Sequence, residues 1–106
     1  MTKEQMIIYN TTTLVSWSIH EDWQDWIMNE FLPKVMATEL FMRFQVVRLL
    51  EVNEEEGPTY AVQLYAEGKE KFETYREKHL RHFQQMEKEA WGDYATSFAS
   101  LMKIVN

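Results

Sequence analysis

The stretch TYAVQLYA, residues 59–66, decides the fold because both of its sides are apolar. It follows a Gly-Pro turn and predicts a β-strand. Successive side chains of a strand point to opposite faces of the sheet. One face therefore carries Tyr60, Val62 and Leu64, and the other carries Ala61, Gln63 and Tyr65. An antiparallel sheet with one solvated face normally alternates between apolar and polar residues, and this strand does not.

The neighbouring segments predict the element order β-α-β-β-α-β. MIIYNTTTLV, residues 6–15, is rich in β-branched residues and predicts the first strand; further strands are predicted over residues 42–52 and 94–104. The polar turn NEEEGP, residues 53–58, joins the second and third strands as an antiparallel hairpin. This split βαβ order predicts an α+β, ferredoxin-like fold, with a four-stranded antiparallel sheet and two helices on one face.

The two helices have recognisable ends. Ser18 and Glu21 are spaced as a capping box, which predicts Ser18 as the N-cap of the first helix. Pro33 has no amide hydrogen, so this helix should kink or restart there. The second helix is predicted over residues 69–90, and Gly92 ends it.

The other face of the sheet is predicted to be bare, because both helices lie on one side. An exposed apolar patch larger than a few hundred Å² usually marks an interface. The apolar residues on both sides of the strand at residues 59–66 would give this sheet such a patch. We therefore expect two copies of the chain to pack sheet to sheet as a homodimer.

Composition excludes several classes of protein. The chain has 106 residues, 45% of them hydrophobic, and no cysteine, so it should fold as one domain without disulfides. Its net charge of −6 disfavours nucleic acid and anionic membranes as partners. No apolar run is long enough to span a membrane, and the first residues lack the features of a signal peptide. A cytoplasmic location is the expectation.

Two histidines on the second helix are the most site-like residues. At ~100° per residue, His79 lies in the apolar stripe of the helix, whereas His82 lies towards its boundary. Glu30 lies near the centre of the apolar face of the first helix. His79 is either a core imidazole or part of a polar island with Glu30, and Glu30 could equally mark the exposed mouth of the helix pair. The H-x-x-H spacing is a weak metal signal, so neither a metal nor a cofactor is expected.

A pocket between sheet and helices is the candidate site. Trp23 is either part of its wall or plain core. The candidate lining is Asn10, Trp23, Glu30, Gln63, Tyr65, His79 and Phe83. A small molecule is accordingly an expected partner besides the second copy of the chain.

Five motifs in register resemble a known family. They are MIIYN (6–10), HEDWQDWI (20–27), LPKVMAT (32–38) with Phe41, TYAVQLY (59–65), and Gly92-Asp93 with Phe98. Together they resemble the short bacterial proteins grouped as domain of unknown function 4286. The resemblance spans nearly the whole chain and implies the dimeric α/β-barrel superfamily, in which two ferredoxin-like protomers face sheet to sheet. It implies no activity.

This chain departs from the family pattern at two positions. Phe31 stands where the family tends to have histidine, and Glu39 stands where it tends to have glycine, so a site that used the histidine would be lost here. The family often begins at the equivalent of Met6. Residues 1–5 are therefore expected to be a disordered extension, and residues 6–106 a single domain.

Two functions of different classes remain open, besides a third option, proton-transfer catalysis by a Glu30–His79 pair, which needs the two side chains within hydrogen-bond reach. The first is a homodimer that binds a small ligand between sheet and helices. The alternative is implied by resemblance to the antibiotic-biosynthesis and haem-degrading monooxygenases of the same superfamily. Some of these place an asparagine on the first strand and a histidine on the second helix, as Asn10 and His79 do here. Their usual tryptophan near the third strand is absent, and Tyr65 is the nearest aromatic residue.

Overall fold

The structure is a computed structural model that describes residues 5–106. Its elements are β1 (Ile7–Val15), α1 (His20–Trp26), a π-helical turn (Ile27–Phe31), α2 (Leu32–Met36), β2 (Arg43–Arg48), β3 (Thr59–Ala66), α3 (Lys69–Lys78), α4 (Leu80–Trp91), a 3₁₀ turn (Gly92–Tyr94) and β4 (Ala95–Lys103). The strands form one antiparallel sheet in the order β2-β3-β1-β4. The predicted α+β class and element order are confirmed.

The register of the sheet defines two faces. Tyr9 is paired with Leu64 and Thr13 with Tyr60 on the face that the helices cover, here called the inner face. Trp23 of α1 stacks on Tyr60 at 5.1 Å between ring centroids, and Phe72 of α3 lies 5.3 Å from Tyr9. Residues at the alternate positions form the outer face, which none of the described helices covers.

The second strand is shorter than predicted. It ends at Arg48, whereas the pattern predicts strand to residue 52. Glu51 has a φ of 59°, a left-handed conformation that cannot continue a strand. Arg48 instead binds the Glu54 carboxylate, with Nη2 to Oε1 at 2.9 Å, and this pair closes the loop after the strand.

The predicted capping box is wrong. The first helix begins at His20, and the preceding residue makes no side-chain capping bond. The Ser18 hydroxyl lies 3.0 Å from the Ser16 hydroxyl instead. The backbone explains this, because the Ile19 amide donates to the Ser16 carbonyl and so makes a separate turn before the helix.

A π-helical turn carries the first helix past Pro33. The Leu32 amide donates to the Ile27 carbonyl, five residues back. The wider turn accommodates Pro33, which has no amide hydrogen to donate. The buried residues of this segment are accordingly spaced by four residues from Trp23 to Ile27 and by five from Ile27 to Leu32. The extra residue rotates Glu30 away from the sheet, and its side chain is exposed.

The second helix is interrupted at His79. This residue has φ −129° and ψ −29°, and it separates α3 from α4. The i to i−4 hydrogen bonds persist on both sides, since the His79 amide donates to Tyr75 and the Phe83 amide donates to the His79 carbonyl. The break changes the direction in which α4 side chains point relative to a continuous helix.

The predicted extension of residues 1–5 falls almost entirely outside the described residues. Gln5, the one described residue of this segment, is exposed. Ile7 begins the first strand, and the Ile104 amide donates to the Met6 carbonyl at 3.0 Å. The single-domain assignment of residues 6–106 stays a prediction.

The loop before β3 generates a prediction about Gly57. An added Cβ there would lie 1.8 Å from the Val15 carbonyl oxygen, and the residue has a φ of 157°. Gly92 also has a positive φ, 55°, but nothing lies within 4 Å of its added Cβ. We expect Gly57→Ala to lower the free energy of unfolding by about 3 kcal/mol and Gly92→Ala by about 1 kcal/mol. Urea unfolding measures both, and equal losses would contradict the close approach of this loop to β1.

Candidate functional site

A cavity of about 130 Å³ lies between the sheet and the helices. Its floor is the inner face, with Tyr9, Thr11 and Thr13 of β1 beside residues of β3 and β4. Its walls come from the π-helical turn, from Tyr75 of α3 and from one side of α4. Ser97 and Ala99 of the edge strand β4 line it and are exposed, so the cavity reaches solvent past this edge.

Aromatic rings form much of the wall. Tyr75 and Phe83 stack at 6.1 Å between centroids with 9° between their planes, and Phe31 meets Phe83 edge-on at 5.7 Å. Tyr9 lies 6.3 Å from Tyr75 on the side of the sheet. Such contacts hold rings in fixed orientations, so the cavity has defined, largely apolar walls.

Polar groups occupy two places in the lining. The Thr13 and Ser97 hydroxyls bond each other at 2.7 Å across β1 and β4. Gln84 and Glu87 of α4 line the opposite side. A ligand in the cavity would therefore meet hydroxyl groups on the sheet and a carboxyl group on the helix.

Burial changes the ionisation of the cavity residues. It raises the pKa of the Glu87 carboxyl above its ordinary value. It also raises the pKa of the Tyr75 and Tyr9 hydroxyls, and the nearby Glu87 charge adds to both shifts. Burial therefore penalises the carboxylate form of Glu87 relative to a carboxylate in water. The carboxyl oxygens can accept a hydrogen bond from a ligand, and the two phenols can donate one.

The structure does not bring the predicted pocket residues together. Phe83 is the one member of the set that lines the cavity. Trp23 is fully buried in the core beneath α1, and Glu30 is exposed. His79 is half-buried at the helix break, 6.1 Å from the Tyr75 ring, and His82 is exposed. The polar island of Glu30 and His79 within an apolar cavity is therefore not formed.

The remaining predicted residues lie on the outer face. Asn10, Gln63 and Tyr65 occupy the alternate positions of β1 and β3, on the opposite side of the sheet from the cavity. Asn10 pairs with Gln63 and with Ser100, and Gln63 pairs with Gln45. These four residues form a line across all four strands, here called the polar row: Gln45, Gln63, Asn10 and Ser100.

Sequence reasoning missed the carboxyl group of the cavity. Glu87 stands four residues after Phe83, about 40° away on a helix, and this spacing was the available signal. Thr11 and Thr13 were interpreted as plain strand. Their alternation with Tyr9 places them on the inner face, but strand periodicity does not reveal that the helices leave space above them.

The described residues contain neither a cluster of metal-binding side chains nor a membrane-spanning helix. Between residues 5 and 106, no group of three or more His, Cys, Asp or Glu side chains is placed to hold a metal ion. In the same range, no helix has the length and apolarity needed to cross a membrane.

The architecture defines the class of protein before any comparison. It is a ferredoxin-like α+β fold with a cavity on one side of its sheet and, on the other, an outer face that the described helices leave open. The model of the family described as "Domain of unknown function (DUF4286)" matches residues 6–105. The chain belongs to this family, as the five motifs predicted.

Comparison with solved structures confirms the fold. The chain is similar to the crystal structure described as that of a dimeric ferredoxin-like protein from an uncultured marine organism. The two share 16% identity and a TM-score of 0.67, over 97% of this chain and 98% of the other. At this identity the likeness shows the fold alone. Comparison with curated proteins gave no match.

The buried carboxyl generates a prediction about pH. Because the pKa of Glu87 is raised in the folded state, its contribution to stability is full below the ordinary value of 4.5 and is lost as pH rises through the folded-state pKa. We expect the free energy of unfolding of Glu87→Gln to gain on that of the wild type as pH rises above 4.5. Urea unfolding across this range measures the difference, with Glu77→Gln at an exposed site as the control. A difference that stays constant with pH would contradict the burial.

Proposed function

We propose that this protein is a homodimer that binds a small, largely apolar molecule in the cavity between sheet and helices. The cavity of about 130 Å³ carries the proposal. In another protein, an apolar cavity of about 150 Å³ holds benzene. The ligand is therefore the size of a single ring, and its chemistry follows from the lining.

The lining favours one polar substituent on an otherwise apolar ligand. Most of the wall is aromatic or aliphatic, so the burial of an apolar ring there is energetically favourable. A ring hydroxyl could bond the Glu87 carboxyl or the paired hydroxyls of Thr13 and Ser97. An anionic ligand would lie beside the acidic side chain of Glu87, so a neutral molecule such as a phenol fits best.

The outer face supports the homodimer. Phe98 is 66% exposed and Met102 is 37% exposed on this side of β4. In the four described strands, Arg43 is the sole charged residue that faces outward, although 26% of the chain is charged. Interface cores are depleted of charge in this way. The similar solved protein is described as dimeric, and we extend that assembly to this chain.

The geometry gives no support to the monooxygenase alternative. That interpretation rests on Asn10 and His79, and these residues lie on opposite sides of the sheet. Bacterial origin and a cytoplasmic location stay predictions, as does the folding of residues 6–106 as one domain.

Phenol tests the ligand site. We expect added phenol to shift the methyl NMR signals of Ile27, Val62 and Leu80, which line the cavity, in a saturable manner. Ala99→Leu should weaken this binding at least about 10-fold, because the larger side chain enters the cavity from β4. Ala90→Leu, the same change at an exposed position of α4 outside the lining, is the matched control.

Two results would contradict the ligand proposal. One is the absence of saturable shifts at cavity methyl groups. The other is equal phenol binding by Ala99→Leu and the wild type, which would place the molecule elsewhere.

The dimer is tested by two neighbouring residues of β4. Met102 pairs with Ile8 on the outer face, and Leu101, 46% exposed, pairs with Tyr9 on the inner face. We expect Met102→Glu to dissociate the dimer, because a charge would be buried at the interface without a partner. Leu101→Glu should leave the dimer intact. Sedimentation velocity measures both, and a dimer that survives Met102→Glu would contradict this interface.

A further inference from the structure

The cavity is lined by a carboxyl group that has no ionic partner. Glu87 of α4 is half-buried and lines the cavity. Within residues 5–106 it takes part in no ion pair, and no neighbouring charge or hydrogen bond offsets the effect of burial on its pKa. A partly desolvated carboxylate is a stronger base than a carboxylate in water. Glu87 is therefore free to act on a ligand as a hydrogen-bond acceptor and as a base.

A phenol hydroxyl reaches the same cavity from the sheet. Tyr9 of β1 is half-buried and lines the floor. Its ring centroid lies 5.3 Å from that of Phe72 and 6.3 Å from that of Tyr75, and these contacts restrict its orientation. Burial raises the pKa of the Tyr9 hydroxyl, so this group stays protonated at neutral pH and can donate a hydrogen bond.

The base and the donor belong to opposite layers of the fold. Tyr9 is on the sheet, whereas Glu87 is on the helix that forms a wall. The two groups are close enough for the charge of Glu87 to raise the pKa of Tyr9. Apolar side chains such as Val62 and Leu64 line the space beside them. A single ring with one oxygen atom can therefore place its oxygen at Tyr9 and a neighbouring C–H group at Glu87.

This arrangement suits proton transfer at a carbon atom next to a carbonyl group. A base removes the proton, while a hydrogen-bond donor stabilises the negative charge that develops on the carbonyl oxygen. In another protein, a carboxylate base and a tyrosine donor in an apolar site isomerise steroid ketones in this way. The cavity of about 130 Å³ limits a substrate here to a single ring.

We propose that this protein isomerises small cyclic β,γ-unsaturated ketones, with Glu87 as the base and Tyr9 as the hydrogen-bond donor to the ketone oxygen. Glu87 removes a proton from the carbon between the carbonyl group and the double bond. The electron pair of the broken C–H bond forms a double bond to the carbonyl carbon, and the oxygen becomes an enolate bonded to Tyr9.

The second half of the reaction returns the proton to the substrate. Glu87 gives it to the far carbon of the original double bond, the enolate electrons re-form the carbonyl group, and the conjugated ketone results. Substrate and product are isomers, so the reaction needs no oxidant or co-reactant. This activity rests on the proposed ligand site and adds a reaction to it. The enolate is a flat ring with one oxygen atom, and phenol resembles it.

The isomerisation of cyclohex-3-enone tests the proposal, because the conjugated product absorbs ultraviolet light more strongly. We expect the full chain to accelerate this reaction over buffer. Glu87→Gln and Tyr9→Phe should each lower kcat at least about 100-fold, since one loses the base and the other the donor. Glu77→Gln, at an exposed position of α3, is the matched control and should keep the wild-type rate.

Two further readouts separate the chemistry from folding. The wild-type kcat/KM should rise with pH through the folded-state pKa of Glu87, because the carboxylate is the base. Tyr9 and Tyr75, the other ionisable groups of the lining, have raised pKa values and stay protonated over this range. Phenol should inhibit competitively, and its binding to Glu87→Gln shows by NMR that the cavity of this variant is intact.

The outcomes distinguish the reaction from the ligand site. Saturable phenol binding without acceleration of the isomerisation would overturn the reaction and leave the ligand site in place. Equal rates for the wild type and a folded Glu87→Gln would also overturn it, and Tyr9→Phe carries the test where Glu87→Gln does not fold. The absence of both phenol binding and isomerisation would overturn the ligand site together with the reaction.

Discussion

The antiparallel register between β1 and β3 is the constraint on which the rest of the structure depends. Tyr9 faces Leu64 on the inner side, and Asn10 faces Gln63 on the outer side. Because side chains alternate along a strand, a slip of one residue would exchange the two sets. The hydroxyl and aromatic groups of the cavity would then face outward, and the amides would enter the core. The register therefore positions both the proposed ligand site and the proposed interface.

Irregularities in the helices accompany the cavity above this sheet. Ile27 and Phe31, which begin and end the π-helical turn, both reach the lining. The break at His79 resets the direction of α4, which presents Phe83 and Glu87 to the same space. Two uninterrupted helices would direct a different set of side chains towards the cavity. π-Helical turns are frequent at functional sites, which agrees with a ligand in this cavity.

Sequence periodicity predicted the fold well because it reports which side of an element is buried. The alternation in residues 59–66 and the turn before it predicted β3 with its observed bounds, Thr59–Ala66. Local hydrogen bonding was harder to predict: Ser18 has the spacing of a cap, yet the turn made by Ser16 and Ile19 displaces the helix start. Competition between short-range hydrogen bonds does not change the hydrophobic periodicity, so the sequence pattern could not predict it.

The candidate site was predicted less well, for a related reason. A projection at constant pitch places Glu30 and His79 towards the sheet, and each lies at or within a departure from regular α-helix. Glu87, which does enter the cavity, lies beyond the break. Asn10 was interpreted as a pocket residue because some related monooxygenases place an asparagine on the first strand, and Gln63 was included with it in the candidate lining. Their face could be assigned by alternation, but their function there depends on a second copy of the chain.

The central claim is that the sheet uses its two faces differently, one for a cavity and one for a second copy. Isotope-filtered NMR on a mixture of labelled and unlabelled chains measures this directly, since it detects contacts between copies alone. Contacts between copies are expected from Ile8 and Met102 on the outer face, and none from Leu64 or Ile27 beside the cavity. Contacts between copies that involve the cavity residues, or none from the outer face in a dimeric sample, would contradict the account.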